Sequence, residues 1–192
     1  TVLKINKDIT IDGDSKYTIK TSDAFSTGGS APDRTVLNVS NQTVTLKNVT
    51  VDAGKKVRAI YNNGGTLTLD NATVTNGTSG ANNYVAGVYN TGYANFIMKS
   101  GSVTGNVNEG TYVSDGYKQY GCDVWVGSQA NASIEGGTIA NLFVNSNGFK
   151  EPTSETIMTG GSVTNVFVEA DENYVGKFVL TSGTVNKIYV AT

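Results

Sequence analysis

Leu67-Thr-Leu-Asp-Asn-Ala-Thr-Val74 decides how this chain folds, because the chain repeats it. The pattern is apolar, any, apolar, any, small or Asn, small, Thr or Ser, then Val or Ile. It returns as Val44-Thr-Leu-Lys-Asn-Val-Thr-Val51 and as Phe96-Ile-Met-Lys-Ser-Gly-Ser-Val103. Further copies read Ala132-Ser-Ile-Glu-Gly-Gly-Thr-Ile139, Thr156-Ile-Met-Thr-Gly-Gly-Ser-Val163 and Phe178-Val-Leu-Thr-Ser-Gly-Thr-Val185, and Ile9-Thr-Ile-Asp-Gly13 is a degenerate first copy. Alternation with period two marks strands that turn one face inward.

The anchors Ile11, Leu46, Leu69, Met98, Ile134, Met158 and Leu180 are separated by 35, 23, 29, 36, 24 and 22 residues. A base period with irregular additions predicts one solenoid turn per copy, with variable loops at the corners. A second strand follows each copy: Arg58–Tyr61, Gly87–Tyr89, Val124–Val126, Leu142–Val144, Val166–Val168 and Ile188–Val190. Two residues bridge the strands in the last three copies, with Asn141, Asn165 or Asn186 in the bend, which is expected to be a left-handed corner. The expected architecture is an all-β, right-handed parallel β-helix of about seven turns with variable corner loops, one domain over residues 1–192. The start at Thr1 and the strand-like ending suggest an excerpt of a longer surface protein.

Composition narrows the function. The net charge of −2 offers no basic field for nucleic acid or an anionic membrane. No apolar run is long enough to span a bilayer as a helix. The chain has no histidine, which removes Ser-His-Asp and Cys-His triads and HExxH zinc sites. Cys122 is the only cysteine, so no intrachain disulfide forms, and a small buried residue is expected there. We expect no catalytic residues, no metal and no cofactor.

Ala59-Ile-Tyr-Asn-Asn-Gly-Gly-Thr-Leu-Thr-Leu-Asp-Asn-Ala-Thr-Val-Thr-Asn-Gly77, continued by Gly87-Val-Tyr-Asn-Thr-Gly92, resembles the repeat of bacterial polymorphic outer-membrane and adhesin-like β-helix proteins. The opening Leu3-Lys-Ile-Asn-Lys-Asp-Ile-Thr-Ile-Asp-Gly13 is similar to the first turns of the pectin-lyase-like superfamily. The resemblance covers most of the chain. It implies fold more than activity, since that superfamily hosts lyases, hydrolases, phage tailspikes and non-catalytic adhesins.

Four groups of side chains are candidates. Asp8, Asp12 and Asp14 could bind calcium, although turn chemistry explains Asp-Gly-Asp without a metal; Glu169, Asp171 and Glu172 read as a solvated loop. Lys55, Lys56 and Arg58 read as an exposed charged turn. Trp125, Phe143, Phe167 and Tyr189 sit mid-strand between apolar residues, so alternation sends them outward as a ladder with a spacing of ~4.8 Å. Exposed aromatics suit sugar rings or a partner protein. A one-residue register change would turn the ladder into the core, an insertion would cover it, and one alignment matches Trp125 with Ile60 and Val88 instead. The insertion Thr104–Gly121 adds Tyr112, Tyr117 and Tyr120, either for recognition or packed back onto the strands.

The first expectation is a non-catalytic, adhesin-like extracellular module, at the cell surface or secreted. It would bind an extracellular glycan or a host or partner protein and join flanking domains of its own chain. A passive stalk is the alternative. A polysaccharide lyase or hydrolase is a weaker one, since clustered carboxylates on a shared face are lacking.

Overall fold

A computed structural model describes residues 2–25, 34–79, 85–108, 122–127, 129–145, 154–169 and 175–191. All regular elements among them are strands, and the strands pair in parallel. Three strand positions recur in order. The first is held by Leu3–Ile5, Thr35–Ser40, Arg58–Asn63, Val88–Thr91 and Val124–Val126. The second is held by Ile9–Asp12, Thr43–Lys47, Thr66–Asp70, Asn95–Met98, Asn131–Ile134, Ser154–Met158 and Gly176–Leu180, which form one seven-stranded parallel sheet. The third is held by Thr18–Lys20, Thr50–Asp52, Ala72–Thr75 and Gly101–Val103. In the last repeats the third and first positions fuse into the long strands Thr138–Val144, Ser162–Glu169 and Thr184–Ala191. The fused strands join both positions into a second, 12-stranded sheet. An all-β array of parallel strands in curled sheets is compatible with a solenoid or β-helix.

The anchors align as the spacing requires. Ile11 pairs with Leu46, Leu46 with Leu69, Leu69 with Met98, Met98 with Ile134, Ile134 with Met158, and Met158 with Leu180. Leu46, Leu69, Met98, Ile134 and Met158 are fully buried. They belong to one core with Leu37, Ile60, Val88, Val124, Leu142 and Val166 from the first position and Val51, Val74, Val103, Ile139 and Val163 from the third. Three strand positions thus turn their apolar faces to a common interior.

The turn inside each repeat changes its chemistry along the chain. In the early copies Asn48 and Asn71 take the left-handed conformation, with φ of 49° and 53°, and are followed by buried Val49 and Ala72. In the later copies Gly101, Gly137, Gly161 and Gly183 take positive φ one residue further on. A Cβ at Gly101 would overlap the Ala72 carbonyl oxygen, so glycine there serves both the φ and the close approach of the neighbouring strand.

The two-residue bends differ from expectation. None of Asn141, Asn165 or Asn186 adopts positive φ, and the strand continues through the bend, although Ile139 and Leu142, three residues apart, both face the core. Side-chain bonding replaces the backbone turn: Asn165 Nδ2 donates to Asn141 Oδ1 at 2.9 Å, and Asn141 Nδ2 donates to Asp123 Oδ2 at 3.1 Å. In the last repeat Lys187, not Asn186, occupies that register.

Candidate functional site

The first strand position carries an aromatic column. Paired register places Asn38 beside Tyr61, Tyr61 beside Tyr89, Tyr89 beside Trp125, Trp125 beside Phe143, Phe143 beside Phe167, and Phe167 beside Tyr189. Flanking Val124, Val126, Leu142, Val144 and Val166 point into the main core, so the rings lie on the opposite, outer face. Val88, not Tyr89, pairs with Val124, which excludes the alignment of Trp125 with Ile60 and Val88.

The rings touch along the whole column. Tyr61 and Tyr89 meet edge to face at 5.6 Å between centroids, and Tyr89 meets Trp125 likewise at 6.4 Å. From there the rings are nearly parallel: 5.9 Å from Trp125 to Phe143, 4.3 Å to Phe167, and 4.9 Å on to Tyr189. Phe143 and Phe167 are only 5% and 3% exposed and cluster with Val85 and Cys122. Tyr61, Tyr89, Trp125 and Tyr189 are half-buried. The column is therefore outside the main core yet partly covered. A ring stacked on both faces offers a ligand its edge, not the flat platform on which a sugar ring would lie.

A buried cation lies against the two tyrosines of the column. Arg58 is 3% exposed, not part of an exposed turn as its neighbours Lys55 and Lys56 suggested. Its guanidinium carbon lies 4.8 Å from the Tyr89 centroid and 5.8 Å from that of Tyr61, and its Nε donates to the Val85 carbonyl at 3.0 Å. Ring quadrupoles attract a desolvated cation. Loss of water pulls the Arg58 pKa down to about 10, against the opposing pull of Tyr89, Tyr61 and Cys122. Burial raises the Tyr61 hydroxyl, helped by Tyr89 and opposed by Arg58. Lys56 is occupied elsewhere, donating to the Ser22 and Asp23 carbonyls at 2.9 and 3.2 Å.

Next to the column sits a buried carboxylate. Asp123 is 1% exposed and accepts from Asn106 N at 3.2 Å, Asn106 Nδ2 at 2.8 Å, Asn141 N at 3.0 Å and Asn141 Nδ2 at 3.1 Å. Burial raises its pKa, and these four bonds lower it in part. Asn106 also accepts from Gly77 N at 2.8 Å, so Asp123 ties three repeats together. Buried Cys122 has its thiol pushed well up, first by burial and then by Asp123, with Arg58 opposing. Such a thiol is a poor nucleophile.

The acidic trio is consumed by turns. Asp12 Oδ1 accepts from Asp14 N at 2.9 Å and from Asn48 Nδ2 at 3.1 Å, and these two bonds hold its carboxyl below the ordinary range against slight burial, with Lys47 adding to them. Asp8 Oδ1 accepts from Thr43 N at 2.8 Å, and Asp14 pairs with Lys16 at 2.6 Å. No group of metal-ligating side chains occurs among the described residues. Glu169 lies at the end of its strand, while Asp171 and Glu172 lie outside the described residues, as do Tyr112, Tyr117 and Tyr120.

Sequence reading missed Tyr61, Tyr89 and Asp123, and it placed Arg58 in an exposed turn rather than against the rings. The two tyrosines each follow an apolar residue in the second-strand segments, and that was the available signal. No family model matches the chain, and neither a curated protein nor a solved structure matches it.

Proposed function

We propose that this chain is a non-catalytic part of an extracellular or cell-surface protein, a right-handed parallel β-helix of seven turns serving as a structural stalk. The supporting observation is the use of the ring faces. From Trp125 to Tyr189 the rings stack on one another, and the two innermost are covered. Such a column adds packing between successive repeats, which is what a stiff spacer needs. The non-catalytic reading is supported by the absence of histidine from the sequence and by the engagement of Asp8, Asp12, Asp14 and Asp123 in turns and ladders. It has no need of a cofactor or a metal.

A second reading, adhesin-like recognition of an extracellular glycan or a host or partner protein, is favoured by the half-exposure of Tyr61, Tyr89, Trp125 and Tyr189. Edges and hydroxyls of these rings would form the contact surface. A glycan and host-protein array probed with the purified chain and with Trp125→Ala separates the two. The stalk predicts no ligand for either protein. A specific ligand bound by the wild type and lost in a cooperatively folded Trp125→Ala would replace the stalk with the recognition reading.

A further inference from the structure

The outer face of the third strand position carries an unbroken column of hydroxyls through the interior repeats. Register sets Thr50 beside Thr73, Thr73 beside Ser102, Ser102 beside Thr138, and Thr138 beside Ser162. The residues that follow them, Val51, Val74, Val103, Ile139 and Val163, belong to the core, so alternation turns the hydroxyls outward. All of these hydroxyl residues are exposed or half-buried. Two places further along the same strands stand Thr75, Thr104, Ala140 and Thr164, so from Thr73 onward the face has two columns and neither carries a charge. The second-position sheet differs. Its outer column of Thr45 and Thr68 breaks at Ile97 and Ile157, and it runs beside Lys47, Asp70, Lys99 and Glu135.

We propose that this threonine and serine face binds ice. Parallel strands stand ~4.8 Å apart and alternate residues of one strand ~6.6 Å apart, so the hydroxyls form a two-dimensional grid. Both intervals lie near the oxygen repeats of the ice lattice along its two axes. Each hydroxyl can donate and accept, as a lattice water does. Threonine is stiff at χ1, so the grid is set before contact and little rotamer freedom is lost on binding. At one step the columns are close enough for direct contact, with Ser102 Oγ donating to Thr73 Oγ1 at 3.4 Å. The threonine methyl groups add apolar area between the hydroxyls, and covering it releases water. The chemistry of the face selects the occupant. A charged polymer would need opposite charge, and a crystalline polysaccharide would need ring faces to stack on. From Thr73 to Thr164 these columns offer neither, whereas a solid made of water needs only neutral donors and acceptors at a matching repeat. The inference uses a different strand position from the aromatic column and does not rest on the stalk reading.

Ice-affinity partitioning of the purified chain tests this: ice grows slowly through the protein solution, and the protein taken into the ice is measured. The wild type should be enriched in the ice and should hold small crystals from growing just below their melting point. Thr138→Tyr and Thr164→Lys place bulk on the grid at exposed positions, so each should stay in the liquid with an unchanged circular dichroism spectrum. Ile157→Tyr, on the outer face of the second-position sheet, should partition as the wild type does. A wild type left in the liquid overturns the proposal, and its pelleting with crystalline cellulose instead would assign the face to a polysaccharide. Folded grid variants that still enter the ice, or an equal loss in Ile157→Tyr, overturn it as well. Either grid variant alone is enough, and the wild-type partition decides against the proposal even where both fail to fold.

Discussion

Asp123 holds its carboxylate almost out of reach of water with four N–H groups. Charge-assisted bonds compensate part of the desolvation, and burial still wins, so the folded pKa lies above the ordinary 3.8. Between the unfolded and folded values the native state binds the extra proton, and stability must fall as pH rises through that window. Below it both states are protonated and the penalty vanishes. Asp123→Asn cannot titrate, and its amide nitrogen would face N–H donors, at a cost of about 1–3 kcal/mol. Urea unfolding at pH values from about 3 to 7 should therefore show the wild type losing stability relative to Asp123→Asn as pH rises from the ordinary aspartate range. A pH-independent difference would refute the buried charge. Little of this was legible beforehand. Asp123 lies beside Cys122 without a motif, and its donors come from Asn106 and Asn141, brought together only by folding.

At the scale of elements, the two faces of the first-position strands do different work. The inner residues join the main core, while the outer ones form the ring column. Phe143 stacks at 5.9 Å on Trp125 and at 4.3 Å on Phe167, so Phe143→Ala removes two ring contacts and leaves a gap in mid-column. The expected loss is about 3–5 kcal/mol, measured by urea unfolding. A loss below about 1 kcal/mol would mean that the column closes over the gap or packs loosely. The second-position sheet has its own register device. Asp12 pairs with Lys47 and Lys47 with Asp70, and Lys99 and Glu135 continue the series at the next two strands. Alternating sign along adjacent strands favours this register and opposes slippage. These columns were legible as far as the repeats could be aligned. The aromatic column was half-legible, because a one-residue choice decides whether Tyr89 or Val88 lies beside Trp125, and the hydrogen-bonded register makes that choice.

For the whole molecule, stability is a sum over stacked repeats, each bonded chiefly to its neighbours. Breaking one interior repeat therefore interrupts the stack. Met158 is fully buried between Ile134 and Leu180 in register, so Met158→Asp buries a carboxylate with no partner and should abolish the cooperative thermal transition followed by circular dichroism. An unchanged melt would place Met158 outside the core. The sequence by itself determined the strand pattern, the seven anchors and their pairing order, because period-two alternation and the repeat interval act locally and recur. Tertiary structure alone decided that Phe143 and Phe167 are covered, that Arg58 lies over two tyrosines and that Asp123 gathers four donors. Those outcomes depend on residues from different repeats meeting on the outer face and at the bends, and no local pattern encodes which of them will meet.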